Sequence, residues 1–463
     1  MRTQTLKPYS EYAAVDLPWI EQIPKHWAIE RAKWLFQRMD RPVRPDDDVV
    51  TCFRDGIVTL RKKRRVRGFT ESLKEIGYQG VHEGDLVIHA MDAFAGAAGV
   101  SDSDGKCTPV YAVCQPKQDA DPLYYAHIVR EMARTQWIAA LAKGIRERST
   151  DFRFGDFASQ VVPVPSMDEQ ECIVAFLAHA GRRINRLIRA KRRLIELLNE
   201  QKQAIIQRAV TRGLDPNVRL KPSGIDWLGD VPEHWDVLRA KYVFREVDER
   251  STTGDETHLS MSQKHGLVLS SLIEGHRLIS ESYVGARLCQ QGDIVLNRLK
   301  AHLGVFALAK QRGLVSPDYT VFRPVMHIEP RFFELALRTP ACRTELRRRA
   351  KGIVEGLWRL YTHDFYDIRL PVPDFEEQRS ILDRIDSQAH KVQAAIDRVE
   401  REMALLREYR ARLIDDVVTG KLDVRGVELP ALDEDEPLED WPEGAEEEAD
   451  ETTETEVIAL ANV

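Results

Sequence analysis

The chain has 463 residues, more than one hydrophobic core usually supports, so we expect at least two domains. Hydrophobic residues at 43% and charged residues at 30% are typical of a soluble globular protein. The formal charge is −7, but 14 acidic residues lie between Asp433 and Glu456, and the other 60 acidic residues against 67 basic ones give the body +7. A mildly basic body permits nucleic-acid binding.

The sequence predicts neither membrane contact nor a metal site. No apolar run approaches the roughly 20 residues that cross a bilayer, and the polar stretch 1–11 lacks a signal peptide's apolar core. A cytoplasmic location is therefore expected. The cysteines form no Cys-x-x-Cys pair and no histidine pair stands at ligand spacing, so we expect buried free thiols at Cys52, Cys107, Cys114, Cys172, Cys289 and Cys342.

The first predicted domain covers residues 1–165 and contains the segment Trp19-Ile-Glu-Gln-Ile-Pro-Lys-His-Trp27. Short apolar runs broken by Gly, Pro and Asp follow, for example Asp85-Leu-Val-Ile-His89, and such runs are typical of strands. A helical stretch is predicted near 123–142. These features indicate a mixed α/β (α+β) globular domain.

A long amphipathic helix is predicted in the next segment, 166–215. Asp168 is its expected N-cap and Gly213 its expected end. Its apolar residues follow spacings of seven, four and three, the pattern of a coiled coil, and Lys191 interrupts the stripe. They are Leu177, Ile184, Ile188, Ile195, Leu198, Ile205 and Ala209.

The rest of the chain repeats this arrangement at an offset of 208 residues. Rare residues do not recur at one spacing over so long a stretch by chance, and a period of this length indicates two domains rather than a solenoid. We therefore expect a second domain at 216–373, including a helical stretch near 330–351, a second long helix at 374–426 and an acidic tail at 427–463. The repeated segments are Trp19–Trp27 with Trp227–Trp235, Gly84-Asp85 with Gly292-Asp293, and Pro163–Gln170 with Pro371–Gln378.

The second long helix has the clearer apolar stripe. Asp374 is its expected N-cap and Gly420 its expected end. The stripe consists of Ile385, Ala389, Val392, Ile396, Val399, Met403, Leu406, Leu413 and Val417. Each stripe needs a partner surface and the simplest partner is the other helix, so we expect an antiparallel coiled coil and pseudo-two-fold symmetry. The acidic tail is expected to be disordered, and shielding of a basic cleft is its alternative role.

The sequence contains none of the common catalytic motifs. There is no phosphate-binding G-x-x-x-x-G-K-[ST] loop, no dinucleotide G-x-G-x-x-G, no G-x-S-x-G and no H-E-x-x-H. It has no Pro-Pro pair, so the [Asn/Asp]-Pro-Pro-[Tyr/Phe] motif of amino-methyltransferases is also missing. We therefore predict no catalytic residue, no metal ligand and no cofactor for this chain.

The duplicated arrangement resembles the specificity (S) subunits of type I restriction–modification systems. The Trp19–Trp27 and Trp227–Trp235 segments, the Pro-x-Pro-x-x-x-Glu-Gln segments at Pro163 and Pro371 and the two long helices carry the resemblance, which covers residues 16–426. It implies that each domain recognises one half of a split, asymmetric target on double-stranded DNA. It also implies that the helices bind two adenine-N6 methyltransferase (M) subunits and that restriction/translocase (R) subunits join them. S-adenosylmethionine, ATP and Mg would then belong to those partners.

DNA-binding candidates lie in both domains. In the first they are Arg61, Lys62, Lys63, Arg64, Arg65 and Arg67, whose alternative is a solvated loop. In the second they are Asn297, Arg298, Lys300, Arg347, Arg348 and Lys351. The resemblance places a stretch like Asn297–Lys300 in the recognition domain, where Arg298 could bind guanine or phosphate and Asn297 adenine. The first copy has His89-Ala-Met91-Asp92 there, so packing remains the alternative.

Two other interpretations stay open. The chain could serve a methylation-only or type IIB-like system, or it could be a coiled-coil assembly scaffold whose domains bind protein. Steep loss of DNA affinity with rising salt would distinguish a DNA-binding protein from the scaffold. His26, His234 and the neighbouring tryptophans are interpreted as a packed joint between domain and helix rather than as catalytic groups.

Overall fold

The structure is a computed structural model that describes residues 6–64, 76–117, 119–141, 151–262, 266–272, 283–303, 305–354 and 357–429. These residues form two compact units, one within Met1–Ala190 and Glu402–Val463 and the other within Lys191–Arg401. Arg65, Arg67 and residues 430–463 of the acidic tail lie outside the described residues. Within those ranges, no helix combines the length and apolar character needed to span a membrane.

The first unit is a mixed α/β domain that leads into the first long helix. Its strands are β1 (Tyr12–Leu17), β2 (Ile20–Pro24), β3 (Ala28–Arg31), β4 (Phe36–Arg38), β5 (Val50–Cys52), β6 (Val58–Leu60), β7 (Gln79–Val81), β8 (Leu86–His89), β9 (Ala98–Val100), β10 (Gly105–Cys107), β11 (Tyr111–Pro116) and β12 (Val161–Val164). Its helices are α1 (Ala32–Leu35), α2 (Arg61–Arg64), the 3-10 helix Ala93–Ala95, α3 (Pro122–Arg134), α4 (Trp137–Leu141), α5 (Phe154–Ser159) and the start of α6 (Met167–Arg212).

The second unit has the same arrangement. Its strands are β13 (Leu220–Pro222), β14 (Asp230–Pro232), β15 (Asp236–Arg239), β16 (Phe244–Val247), β17 (Leu259–Ser262), β18 (Gly266–Leu269), β19 (Arg287–Cys289), β20 (Ile294–Asn297), β21 (Phe306–Leu308), β22 (Gly313–Val315), β23 (Tyr319–Pro324), β24 (Lys351–Val354), β25 (Leu357–Arg359) and β26 (Arg369–Val372). Its helices are α7 (Ala240–Val243), the 3-10 helices Ser270–Leu272 and Arg298–Leu303, α8 (Pro330–Leu337), α9 (Pro340–Arg349), α10 (Thr362–Tyr366) and the start of α11 (Phe375–Val418).

A four-stranded antiparallel sheet lies at the centre of each domain, in the orders β4-β11-β8-β9 and β16-β23-β20-β21. Both faces of its inner strands are buried. Leu86 and Ile88 of β8 belong to one apolar cluster, whereas Val87 between them belongs to another. In β20, Leu296 likewise belongs to one apolar cluster and its neighbour Val295 to another. This double burial explains why the strands consist of continuous apolar runs rather than alternating ones.

The predicted duplication is confirmed at the level of single elements. Strands β8 and β20, strands β11 and β23, and helices α6 and α11 each begin 208 residues apart. The predicted helical stretches near 123–142 and 330–351 are each divided into two helices, α3 with α4 and α8 with α9. In the first copy the division falls at Gln136, whose φ of 62° breaks the helix.

The two long helices pack antiparallel, and the predicted fold class is confirmed. In the first unit, Leu177 of α6 and Leu413 of α11 share one apolar cluster, and Arg410 Nη1 donates to Asn185 Oδ1 at 3.3 Å. In the second unit, Lys202 Nζ donates to Gln393 Oε1 at 3.1 Å. Along α6 the contacts run forward from Asn185 to Lys202. Along α11 they run backward from Arg410 to Gln393, as antiparallel packing requires. Most members of the predicted apolar stripes are buried or half-buried.

The helix ends follow the predictions with one exception. Asp374 accepts the backbone N–H of Glu377 at 2.8 Å and so caps α11. The prediction that Asp168 caps α6 is wrong, because α6 begins at Met167 and Asp168 already lies in its first turn. Gly213 and Gly420 adopt φ values of 71° and 77°, the left-handed conformation in which helices commonly end.

All six cysteines are free, as predicted, and five of them are buried. The prediction of a buried thiol is wrong for Cys172, which is exposed. Cys172 lies in the first turns of α6, one position before the fully buried Ile173, so it belongs to the outer face of that helix.

Candidate nucleic-acid interface

Asn297 ends strand β20 and shapes the 3-10 turn that follows it. Its Oδ1 accepts the backbone N–H groups of Leu299 at 3.1 Å and Lys300 at 3.3 Å. The residue is buried. Asparagine binds an adenine edge through its amide oxygen and its amide N–H together. Asn297 would therefore have to release these backbone groups before it could bind a base.

The guanidinium of Arg298 is held by the loop before β23. Its Nε donates to the carbonyl of Asp318 at 2.9 Å and its Nη2 to the carbonyl of Pro317 at 3.0 Å. Burial, followed by the positive charges of Arg359 and Arg287, lowers the pKa of Arg298. Arg359 in turn lies 3.3 Å from the Asp318 carboxylate. The half-buried Asp318 therefore lies between the guanidinium groups of Arg298 and Arg359.

The 3-10 helix Arg298–Leu303 packs against both α9 and β25. This packing brings the turn after Asn297 against α9, the helix that carries Arg347 and Arg348, although the two elements are distant in sequence. Arg347 is exposed and makes no ion pair within the described ranges. Arg348 lies 3.7 Å from Asp226, and Lys351 lies 3.6 Å from Asp364. Ion pairs between exposed side chains contribute little stabilising free energy, so these cations can still attract another anion.

Sequence reasoning missed the hairpin β24–β25 and the segment after it. Trp358 and Tyr361 are partly exposed, and Arg359 lies between them in the chain. Lys351 Nζ is 5.6 Å from the ring centroid of Tyr361. Exposed aromatic rings interleaved with basic residues are typical of nucleic-acid surfaces. The sequence contains this signal, but only the hairpin brings Lys351 against Tyr361.

Helix α2 carries the four described members of the basic cluster predicted in the first domain, Arg61–Arg64. Lys62 and Lys63 are exposed, whereas Arg64 is largely buried and its guanidinium lies 4.5 Å from the centroid of the Phe53 ring. Exposed ion pairs are weak, so a phosphate could replace the partners of Lys62 and Lys63, whereas Arg64 has a packing role. The contacts are Lys62 with Asp48, Lys63 with Asp102 at 3.5 Å, Arg64 with Asp55, and Arg61 Nε with Thr51 Oγ1 at 3.1 Å.

The repeated Gly-Asp pairs have a structural role in both copies. Asp85 and Asp293 are buried, and each accepts a backbone N–H of the preceding turn at 2.8 Å. Asp85 pairs with Arg41. In the second copy, Glu249 stands at the position of Arg41, and Arg323 from another strand contacts Asp293 at 2.8 Å and Glu249 at 2.7 Å. The two copies thus neutralise the equivalent buried acid from different segments, Arg41 after β4 in the first and Arg323 of β23 in the second.

The histidine–tryptophan segments form joints between each domain and the helix that follows it. His26 Nε2 lies 3.0 Å from Glu169 Oε2, and His234 Nε2 lies 2.9 Å from Glu377 Oε2. Trp235 is fully buried and donates its Nε1–H to the same Glu377 oxygen at 2.9 Å. These contacts confirm the interpretation of the segments as packed joints.

Comparison with known proteins identifies the fold. No family model and no curated protein matches the chain. A solved structure described as the "Structural basis underlying complex assembly and conformational transition of the type I R-M system" matches at 16% identity and a TM-score of 0.57, covering 86% of this chain and 99% of that one. The chain has this fold.

Two further solved structures align over a similar length but less closely. The crystal structure of the HsdS subunit from Thermoanaerobacter tengcongensis is 16% identical, with a TM-score of 0.47 and coverage of 86% of this chain and 98% of that one. The type I restriction–modification S subunit from M. genitalium is 14% identical, with a TM-score of 0.32 and coverage of 85% and 96%.

Proposed function

We propose that this chain is the DNA sequence-specificity subunit of a type I restriction–modification system. The observation that carries the proposal is the architecture: one mixed α/β domain occurs twice, each copy leads into a long helix, and the helices pair antiparallel. The structural match to a chain solved for the type I R-M system covers 99% of that chain. A protein built in this way has two similar surfaces for two separate stretches of one DNA molecule.

The proposed target is a split and asymmetric sequence. The second copy presents Arg298, Arg359 and Lys351 around the 3-10 turn, whereas the first copy has His89 and Asp92 at the corresponding strand end. Different side chains at equivalent positions recognise different bases, so the two half-sites should differ. The half-site centres should lie on the order of one helical turn apart, as for other paired major-groove proteins.

The chain is proposed to act without catalysing a reaction itself. Two adenine-N6 methyltransferase subunits would bind the helices and domains, and restriction/translocase subunits would join that complex. S-adenosylmethionine, ATP and Mg would be bound by these partners and not by this chain. Support comes from the duplicated architecture, which offers each partner type two equivalent positions.

DNA affinity is proposed to come mainly from exposed cations, and specificity from the turn around Arg298. Lys62 and Lys63 in the first unit and Arg347 and Lys351 in the second are exposed, as phosphate contacts require. Arg298 is fixed by two carbonyl groups and so has a defined orientation, which base recognition requires.

The proposal is tested by methylation of genomic DNA with the purified cognate methyltransferase, with and without this chain. N6-methyladenine should form only when both proteins are present. Equal methylation without this chain would contradict the specificity role. A stable complex with the methyltransferase that binds no DNA at low salt would favour the assembly-scaffold interpretation instead.

A further inference from the structure

An exposed aromatic residue beside a lysine occurs at the same position in both copies. Trp34 of α1 and Tyr242 of α7 lie 208 residues apart and are 62% and 58% exposed. Lys33 Nζ is 5.0 Å from the Trp34 ring, and Lys241 Nζ is 4.9 Å from the Tyr242 ring. A single exposed apolar side chain is ordinary on a protein surface. The chance occurrence of such side chains does not explain why the same aromatic–lysine pair lies at equivalent positions of two diverged copies.

The short helix does not need this aromatic residue for its own packing. In α1, Ala32 and Leu35 are buried, and in α7 Ala240 and Val243 are buried. These residues fix the helix on the domain, and the aromatic residue between them projects to solvent. The same four-residue helix therefore exposes the aromatic residue in both copies.

In the second unit, Tyr242 lies at the far end of the central sheet from the basic turn. Strand β23 begins at Tyr319, which pairs with Asn297 beside the turn. It ends at Pro324, which pairs with Phe244, the residue that follows α7. A strand of six residues spans about 20 Å. DNA bound at the Arg298 turn would therefore lie away from Tyr242.

The surface around Tyr242 continues toward the start of the long helix. Val325 donates its backbone N–H to the carbonyl of Val243 at 2.9 Å, and the side chains of Val325 and Met326 are exposed. The next residue, His327, stacks on Phe375 at 3.9 Å between ring centroids, and Phe375 is the first residue of α11. This apolar surface thus lies where a domain meets its helix.

We propose that Lys33–Trp34 and Lys241–Tyr242 are the centres of two equivalent docking surfaces for one protein partner that binds in two copies. The inference rests on the proposed function, under which that partner is the methyltransferase subunit. The DNA-facing residues differ between the copies because the half-sites differ, whereas a surface that is alike in both fits a partner that is alike in both. Aromatic residues are enriched at the energetic centres of protein interfaces, and the adjacent lysine favours a partner with an acidic contact.

The test measures methyltransferase binding by the full chain with Trp34→Ala, Tyr242→Ala and both changes. Native mass spectrometry should show two bound copies for the unchanged chain, one for each single variant and none for the double variant. Each lost contact should weaken binding about 30-fold or more. Leu123→Ala is the matched control, because Leu123 is 45% exposed and its counterpart in the other copy is Arg331. Charge reversal by Lys33→Glu with Lys241→Glu should weaken the same binding without touching either ring.

The outcomes separate this inference from the proposed function. If the unchanged chain binds no methyltransferase, the proposed function fails and the inference with it. If it binds two copies and the double variant binds them equally well, only the docking inference is overturned. It is also overturned if the double variant loses DNA affinity while it keeps the methyltransferase, or if the surfaces instead join two copies of this chain.

Discussion

His26 and Glu169 are 143 residues apart in sequence, yet Nε2 of the histidine lies 3.0 Å from Oε2 of the glutamate. His234 and Glu377 repeat the contact with the same separation and a distance of 2.9 Å. The Tyr9 hydroxyl donates to the other oxygen of Glu169 at 2.6 Å. Glu169 therefore ties the start of α6 to the N-terminal part of the first domain, which makes it the central polar contact of that joint.

Replacement of Glu169 by alanine should destabilise the first unit. Glu169 is only 3% exposed, and its loss leaves the buried Tyr9 hydroxyl without its acceptor. A buried polar group without a partner costs about 1–3 kcal/mol of unfolding free energy. Urea unfolding of Glu169→Ala should show this loss. Glu171→Ala, an exposed glutamate in the same helix turn, is the matched control and should unfold like the unchanged chain.

Stability should fall below neutral pH in part because of His89. Burial lowers the pKa of this imidazole from its ordinary value of 6.5, more strongly than Asp92 raises it. Its Nδ1 accepts the backbone N–H of Asp92 at 3.0 Å, which requires the neutral ring. The unfolded chain therefore takes up this proton as the pH falls through 6.5, while the folded chain takes it up only at lower pH.

The free energy of unfolding should consequently decrease from about pH 7.5 to about pH 5.5 by a larger amount in the unchanged chain than in His89→Gln. Urea unfolding at both pH values measures the two differences, and the contributions of the other histidines cancel between the proteins. An equal decrease in both would show that His89 carries none of the pH dependence.

Arg347→Ala should weaken DNA binding regardless of sequence. Arg347 is exposed near the end of α9, the helix that packs against the turn at Arg298, and we propose that it contacts a phosphate. The slope of the logarithm of affinity against the logarithm of salt concentration should become shallower by about 0.9 per lost contact. Arg412→Ala is the matched control, because Arg412 is an exposed arginine on α11 paired with Glu408. An unchanged slope for Arg347→Ala would remove this residue from the interface.

Arg298→Ala should change the recognised sequence in one half-site only. The side chain fixes the Pro317–Asp318 carbonyls through two hydrogen bonds, so its loss alters both a base-contact candidate and the shape of the loop. The other half-site is assigned to the first unit and should stay the same. Sequencing of modified bases in DNA methylated with the variant measures both halves. A change in both halves would contradict the assignment of one half-site to each domain.

Much of the architecture was predictable because it depends on local pattern. The 208-residue repeat predicted two domains and two helices, and α6 ends at Arg212, directly before the predicted Gly213. The apolar stripes predicted the helix pairing, since such stripes need a partner. Asp168 was misassigned because an acidic residue favours both the N-cap and the first turn, and sequence does not separate adjacent positions.

The candidate interface was less predictable because it depends on long-range contacts. Arg323 of β23 neutralises Asp293, but in the other copy Arg41, in the segment after β4, neutralises Asp85, so repeat alignment alone does not find either pair. The Arg298 group and the α9 group meet only through packing of the 3-10 turn. Which cations stay exposed, such as Arg347, and which are used internally, such as Arg64, likewise depends on their neighbours in space.

This chain is proposed to select the DNA sequence that a partner modifies. The most direct measurement is to co-express it with its cognate methyltransferase in a host without other adenine methylation and to sequence the modified bases of that genome. N6-methyladenine should appear in a split, asymmetric motif and should disappear when this chain is omitted. A soluble complex that leaves no methylation dependent on this chain would contradict this proposal.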